Sequence, residues 1–499
     1  MKAPSEKVDS QLAIQSDSGQ AMPLTGMLAG MSLPRQIMAL ALWPFLQNLM
    51  GVAVGFVDMM LAGRMERGQE ASTIMDMMGA SLYLMWLLMI IQGAMGTGAV
   101  AVISRSTGAR DMKIARLALG QSLSLAVVSG VFSGALIWFT VPYLASFFSL
   151  NEQASEYLIS YMRILAFSAP MSGVVFVAGS CLRGYGETMK PFLVMCLVNA
   201  VNVVLSLAFV YRLDWGVAGL AWGSFWSWVL GAALILWFLS PRDKVDKQGA
   251  SGESFVLRKK YLLFHRETVA RILNISFPAM IEILIMWSVN VVAVSFIGQL
   301  QQGAVGAHAM VVRLESLSFM PGFAVGLAAS TLVGQYLGAG DKEMAKKSVR
   351  YCWFLALVTM GGSGVLIAIF NKEVLTMFGN VEPYQLDAAA STLRFTGCFQ
   401  VVAATMMVMK MSLRGAGATR MVTRYAFISQ IGIRVIALWL AMHYFEMSLL
   451  NVWQLMMLDV LVQAIVLLRS ITRGTGLRRK SELFRVLFTL REFYKALEV

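Results

Sequence analysis

Asp58 stands alone in the apolar run "GVAVGFVDMMLAG", and no Lys or Arg follows until Arg64. A carboxylate in such surroundings can hold a small hard cation such as Na⁺ through its oxygens, or take up and release a proton. Glu282 lies midway through another apolar run, four residues after Pro278. It can serve as a second proton carrier, as a counter-charge for a cationic substrate, or as half of a structural ion pair, with Arg313 as a candidate partner. Arg434 and Asp459 fall at matching depths if their segments are adjacent antiparallel helices. That placement suits a buried ion pair, with a part in coupling as the other reading. Arg313 and Glu315 are two residues apart, so they point to different helix faces and need separate partners. Gln47 and Asn48 add neutral polar groups close to Asp58 in sequence.

The elements that must carry these groups follow from composition. Of 499 residues, 58% are hydrophobic and 14% charged, against about 25% charged in a soluble protein. Apolar runs near 20 residues recur along the chain, each long enough to cross roughly 30 Å of hydrocarbon as a helix. About twelve are present, from 36–62 to 450–471. Strand-like alternation is absent, which argues against a membrane barrel. The expected fold class is therefore an all-α polytopic membrane protein. At mid-bilayer a charge costs about 2.5–3.5 kcal/mol, so each acid or base within a span needs a reason.

The net charge of +13 is distributed unevenly. With the N-terminus inside, about 33 of the 41 Lys and Arg fall on tails and inner loops, the positive-inside bias. It places both termini in the cytoplasm and the protein in the cell (inner or plasma) membrane, where basic groups meet anionic lipid. Membrane lipid, not nucleic acid, is then the expected partner of this charge.

The chain is also internally duplicated. "CLRGYGETMK" and "SLRGAGATR" both spell Arg-Gly-x-Gly-x-Thr, with Arg183 and Arg414 separated by 231 positions. Arg163 and Arg394 share that offset. "GTGAVAVISRSTGARD" (96–111) echoes "GLAASTLVGQYLGAGD" (326–341), with Gly96/Gly326, Gly108/Gly338 and Asp111/Asp341 each 230 apart. Each unit holds six spans. Six is even, so both copies enter from the same side, and the bundles are expected to be related by a pseudo-two-fold axis along the membrane normal. The Arg-Gly-x-Gly-x-Thr turns read as helix ends, with Gly in the left-handed conformation and Arg at headgroup level. The expected domains are a disordered cytoplasmic tail (1–34), a first bundle (35–240), a flexible cytoplasmic linker (241–268), a second bundle (269–473) and an amphipathic interfacial tail (474–499).

Several chemistries find no support. The four cysteines lack metal or disulfide spacing. The three histidines show no metal-ligand pattern such as H-E-x-x-H, and no nucleophile elbow or phosphate loop stands out. An enzyme is not expected, nor a resident cofactor, nor any metal beyond a possible Na⁺ at Asp58.

"GFVDMMLAG", "SRSTGARD", the two Arg-Gly-x-Gly-x-Thr turns and above all "RLESLSFMPGFAVGLAASTLVGQYLGAGD" occur in an order and duplication that resemble the multidrug and toxic compound extrusion (MATE) family, over roughly residues 35–473. The resemblance implies two six-helix bundles across a central cleft. It further implies a secondary-active antiporter that exports amphipathic, often cationic, small organic molecules against inward H⁺ or Na⁺. It assigns Asp58 to the cation site. It also carries the remaining groups of that site, Asn, Asp and Thr in the family pattern, onto Asn202, Ser206 and Ser224. Two of those three differ in type, leaving one carboxylate in place of two; weaker Na⁺ binding is the consequence, which leans toward H⁺. A monomer is expected. The alternative reading is a lipid-linked saccharide flippase of the same wider superfamily, which would want a basic cleft and often extra spans.

Overall fold

The computed structural model describes residues 24, 28–65, 69–147, 151–241, 255–376 and 383–472, without the side chains of 53–72, 75, 76, 83, 147 and 472. Among the described residues there is no strand. The first half contains α1 (Leu33–Met65), α2 (Gln69–Gly108), α3 (Met112–Phe147), α4 (Glu152–Tyr185), α5 (Met189–Tyr211) and α6 (Gly216–Leu239). The second contains α7 (Arg266–Ile297), α8 (Ala304–Gly338), α9 (Lys342–Ile369), α10 (Pro383–Gly415), α11 (Thr419–Tyr444) and α12 (Leu449–Thr472). A six-residue helix, Asn371–Thr376, follows α9. Eleven of these helices are long and apolar enough to cross a membrane among the described residues, and α1 has 33 residues. Internal prolines such as Pro44 and Pro278 persist in unbroken helices, as membrane helices allow when neighbours re-satisfy the freed carbonyl.

The duplication is built into the turns. Asp111 accepts a hydrogen bond from the Ile114 amide at 2.9 Å, capping α3, and Asp341 does the same for Met344 and α9 at 2.8 Å. Such caps satisfy amides that the first helical turn leaves without partners. The preceding residue is left-handed in both copies: Arg110 at φ 57° and Gly340 at φ 80°. The second glycine of each Arg-Gly-x-Gly-x-Thr turn is left-handed too, Gly186 at φ 104° and Gly417 at φ 81°. The first glycine of each lets a helix pass close: Gly184 lies against Val100 of α2, and Gly415 against the Ser330 backbone of α8.

These two left-handed glycines give a graded test. Around Gly417 nothing lies within 4 Å of an added Cβ, so Gly417→Ala is expected to cost only the backbone term, about 1–2 kcal/mol. At Gly186 the Cβ would also stand 3.3 Å from Leu28 Cδ1 and 3.4 Å from Gln335 Nε2. Gly186→Ala should therefore lower the melting temperature in detergent more than Gly417→Ala does.

Within each half one helix is the hub. α4 packs on α2, α3 and α6; its counterpart α10 packs on α8, α9 and α12. The halves meet through α2 against α7 and α8, and α1 against α8. The seam is reciprocal. Gly108 abuts the backbone of Gln335, and Gly338 abuts the backbone of Arg105, which are the same two positions exchanged between copies. Gly334 abuts Ser104, which are equivalent to each other, so the pseudo-two-fold axis passes between them. Self-complementary contact of this kind is what two-fold symmetry requires. Thr331 Oγ1 donates to the Arg183 carbonyl (3.2 Å), Gln335 Nε2 to the Gly184 carbonyl (3.0 Å) and Tyr336 Oη to Gln36 Oε1 (2.7 Å), all near the same end. Arg105, Arg110, Lys113, Lys190, Lys342 and Arg420 mark that end as the basic end.

Two boundaries shift. Leu24 and Leu28 are buried against α8 and its neighbours, and Gln36 Nε2 donates to the Leu28 carbonyl at 3.2 Å. The tail expected over 1–34 therefore has an ordered portion before α1. Nor is the linker free over all of 241–268. Gln121 of α3, fully buried, donates to the carbonyls of Tyr261 and Leu263 (2.6 Å each) and accepts from the His265 amide (2.8 Å). Phe255 stacks on Tyr185 at 4.6 Å. The start of α7 is thus tied to the first half by a strap. The amphipathic tail expected over 474–499 lies outside the described residues.

Candidate transport site and its ion pairs

Asp58 sits on α1, and its side chain lies outside the described residues. The three groups assigned with it come together where α5 meets α6. Asn202 Nδ2 donates to Ser224 Oγ at 2.9 Å. Ser206, one helical turn beyond Asn202, is fully buried. It fits because α6 has Gly223 opposite, where a Cβ would come 2.6 Å from Ser206 Oγ. Asn202 Oδ1 and Ser206 Oγ are buried without any hydrogen-bond partner, and so is Asn199 Nδ2. Buried polar atoms normally find partners. Unused oxygens of this type are the hard donors that a small cation, or the water that carries a proton, requires.

The second half is built on ion pairs instead. Glu282 of α7 is met by two cations from α10: Lys410 Nζ at 2.9 Å from Oε1 and Arg414 Nη2 at 2.9 Å from Oε2. The candidate partner Arg313 is not involved; it is exposed on α8 and pairs with no carboxylate among the described residues. Lys410 went unnoticed in the sequence because it sits in "TMMVMKMSLRG" near the end of its span, where a lysine reads as interfacial. Its spacing of four from Arg414 was the available signal, since i and i+4 share a helix face.

Arg434 and Asp459 are in contact, Nη2 to Oδ1 at 2.7 Å, with Asp459 fully buried. The pair is surrounded by further polar groups: Arg434 also donates to Asn290 Oδ1 (3.0 Å) and to the Met456 carbonyl (3.2 Å), and Gln463 donates to Asp459 (3.3 Å). Arg434 rides on a π-helical stretch, Gln430–Val435, a local widening often found where a side chain must be re-aimed. Glu315 faces inward, as its two-residue offset from Arg313 requires, and accepts from Gln400 Nε2 at 3.3 Å. Gln47 and Asn48 are half-buried on α1.

The repeat shows how the halves diverged. Asn48 follows Pro44 as Glu282 follows Pro278, four residues on. Arg183 corresponds to Arg414, and Gly179 to Lys410. Arg183 meets no carboxylate among the described residues and donates to Ser180 Oγ (2.8 Å) within its own helix. The backbone was kept twice, while the charge was kept once.

The sequence profile of the MatE family matches residues 44–208 and 278–440, most of both halves, with starts separated by the Pro44–Pro278 offset. The chain belongs to the MATE family. MATE proteins are transporters and not enzymes. Among curated relatives, a probable multidrug resistance protein NorM from Thermotoga maritima is 25% identical over 89% of this chain and 93% of its own. The multidrug resistance protein PmpM from Pseudomonas aeruginosa is 24% identical over 83% of this chain and 85% of its own. Solved structures agree in fold. A multidrug resistance MATE transporter of the MOP superfamily in an outward-facing conformation superposes with a TM-score of 0.79 at 21% identity, covering 90% of this chain and 98% of the other. A MOP superfamily transporter from Pyrococcus furiosus, described as having reversed binding-pocket polarity, gives a TM-score of 0.80 at 20% identity with the same coverage. The MATE fold thus accounts for twelve helices in two halves.

Proposed function

We propose that this MATE protein is a secondary-active exporter of amphipathic, often cationic, organic molecules, driven by inward H⁺ or Na⁺. The observation that carries the reading is the coexistence of the family's two-half fold with a polar cluster at Asn202, Ser206 and Ser224 in which two buried oxygens, Asn202 Oδ1 and Ser206 Oγ, have no hydrogen-bond partner. Asp58 supplies the charge that this cluster lacks. Loading Asp58 with a cation favours the state that releases substrate outward, and unloading it inside resets the cycle. Coupling needs only that cation and substrate bind the two states with different affinity. One charge crossing 100 mV supplies about 2.3 kcal/mol, roughly a fifty-fold substrate gradient per ion.

The basic end is the cytoplasmic end by the positive-inside bias. Because the halves touch at that end, the described conformer is read as closed to the cytoplasm. Glu282, held by two cations, serves as a tie between α7 and α10 and not as a second proton carrier. Arg434–Asp459 is a structural pair.

Asp58→Asn is expected to abolish export while membrane abundance stays unchanged. Purified protein in liposomes, given separate H⁺ and Na⁺ gradients and a panel of fluorescent organic cations, reads this directly. Export by the variant at the wild-type rate would defeat the proposal, as would export by the wild type with both gradients dissipated.

A further inference from the structure

Away from the seam, α3, α4 and α6 enclose a cavity of about 420 Å³ toward the end opposite the basic end. Trp138 of α3, Glu156, Ser160, Arg163 and Phe167 of α4, and Trp222 of α6 line it. The opposite face of α4, with Ala154, Leu158, Met162 and Leu165, is buried in the core of the half. Phe167 is 60% exposed, so the cavity is open on the side of α4 turned away from that core.

Two charges in it have no ion-pair partner among the described residues. Arg163 forms no ion pair with any described residue; its Nε is buried and unpartnered, and its guanidinium carbon lies 5.0 Å from the centre of the Trp138 ring. Glu156 is exposed and likewise has no ion-pair partner among the described residues. The two residues are seven apart on one face of α4, about 10 Å along the axis. Glu156 is nearer the helix start and Arg163 is deeper, roughly 16 Å in from that start. Tryptophans at this depth match the aromatic belt at a membrane–water interface.

A phospholipid headgroup places its phosphate at the inner edge of the interface and its terminal group further out. Cation deep and acid outward is the complement of a phosphate followed by an ammonium. We infer that this cavity binds a zwitterionic phospholipid with a primary-ammonium headgroup, phosphate on Arg163 and ammonium on Glu156, with its acyl chains running past Phe167. A guanidinium suits the phosphate because it offers several donors in a fixed fork. An anionic headgroup would gain Arg163 but meet repulsion from Glu156. A trimethylammonium headgroup carries the charge but has no N–H to donate to Glu156.

Native mass spectrometry of the full chain, mixed with equal amounts of phosphatidylethanolamine, phosphatidylcholine and phosphatidylglycerol, tests this. The wild type is expected to retain phosphatidylethanolamine several-fold over the other two. Arg163→Ala should remove that excess. Glu156→Gln, at an exposed position that tolerates change, should lower phosphatidylethanolamine to the level of phosphatidylcholine without altering the latter. Soluble phosphoethanolamine, lacking acyl chains, should not displace the bound lipid. Equal retention of the three lipids, preference for phosphatidylglycerol, an unchanged pattern in Glu156→Gln, or full displacement by soluble phosphoethanolamine would each overturn the assignment.

Discussion

Asp459→Ala is expected to destabilise the protein by about 3–5 kcal/mol, because it leaves the Arg434 guanidinium buried without its counter-charge. The pair closes at 2.7 Å, and Asp459 is fully buried. The remaining hydrogen-bond acceptors of Arg434, Asn290 Oδ1 and the Met456 carbonyl, are neutral; the buried Glu315 carboxyl lies near enough to act on Arg434 electrostatically but makes no ion pair with it among the described residues, so it does not replace the 2.7 Å contact with Asp459. Removing both charges is a different experiment. Arg434→Met with Asp459→Leu fills the space with apolar side chains, and replacements of that kind are often neutral or stabilising. The double variant should therefore melt close to the wild type in detergent, while either single variant should melt well below it. If the double variant also transports, the pair is structural; if it is stable but inactive, Arg434 and Asp459 belong to coupling. A wild-type melting temperature for Asp459→Ala would show that the pair contributes little.

The second large effect is conformational. At Gly108 an added Cβ would lie 2.6 Å from the carbonyl carbon and 2.8 Å from the Cα of Gln335 on the other half. Those are backbone atoms, so no side chain can swing aside. Gly108→Val leaves α2 helical and instead forces the halves apart at the basic end. Spin labels at Lys113 and Glu343, equivalent exposed positions flanking the seam, should report a longer distance in Gly108→Val than in the wild type. Reciprocity makes a stricter demand: Gly338→Val meets the Arg105 backbone in the same way and should give the same shift. An unchanged distance distribution in both variants would show that the seam is not held by this glycine contact. Under the proposed orientation, the same variants should also favour the state open to the cytoplasm.

Much of the architecture was legible before any coordinates. Apolar run length reports the solvent a segment needs, and so the spans could be counted. A fixed offset of 230–231 between motifs reports duplication, and an even number of spans per copy fixes the direction of the axis. Gly186 and Gly417 could be assigned to helix ends because few other residues take a left-handed backbone cheaply. Arg434 and Asp459 could be paired because depth follows from counting residues along two adjacent antiparallel helices.

Depth is only one of the two coordinates that decide a partner. The other is the rotation of each helix about its axis, and it is set by packing between segments far apart in the chain. Glu282 meets Lys410 and Arg414 across more than a hundred residues; their spacing of four puts both on one helix face, but it does not say that this face turns toward Glu282 and that Arg313 does not. Gln121, a neutral polar residue in an apolar stretch, became the clamp on the linker because α3 happens to face residues 261–265. By itself, then, the sequence determined the medium, the number of helices, their duplication and the chemistry of their ends, all of which depend on composition and spacing along one strand of backbone. Only the tertiary structure decided which of the possible partners Glu282 meets, and at which end the halves touch. Those outcomes depend on helix azimuth and on backbone approach at glycine, neither of which leaves a local trace.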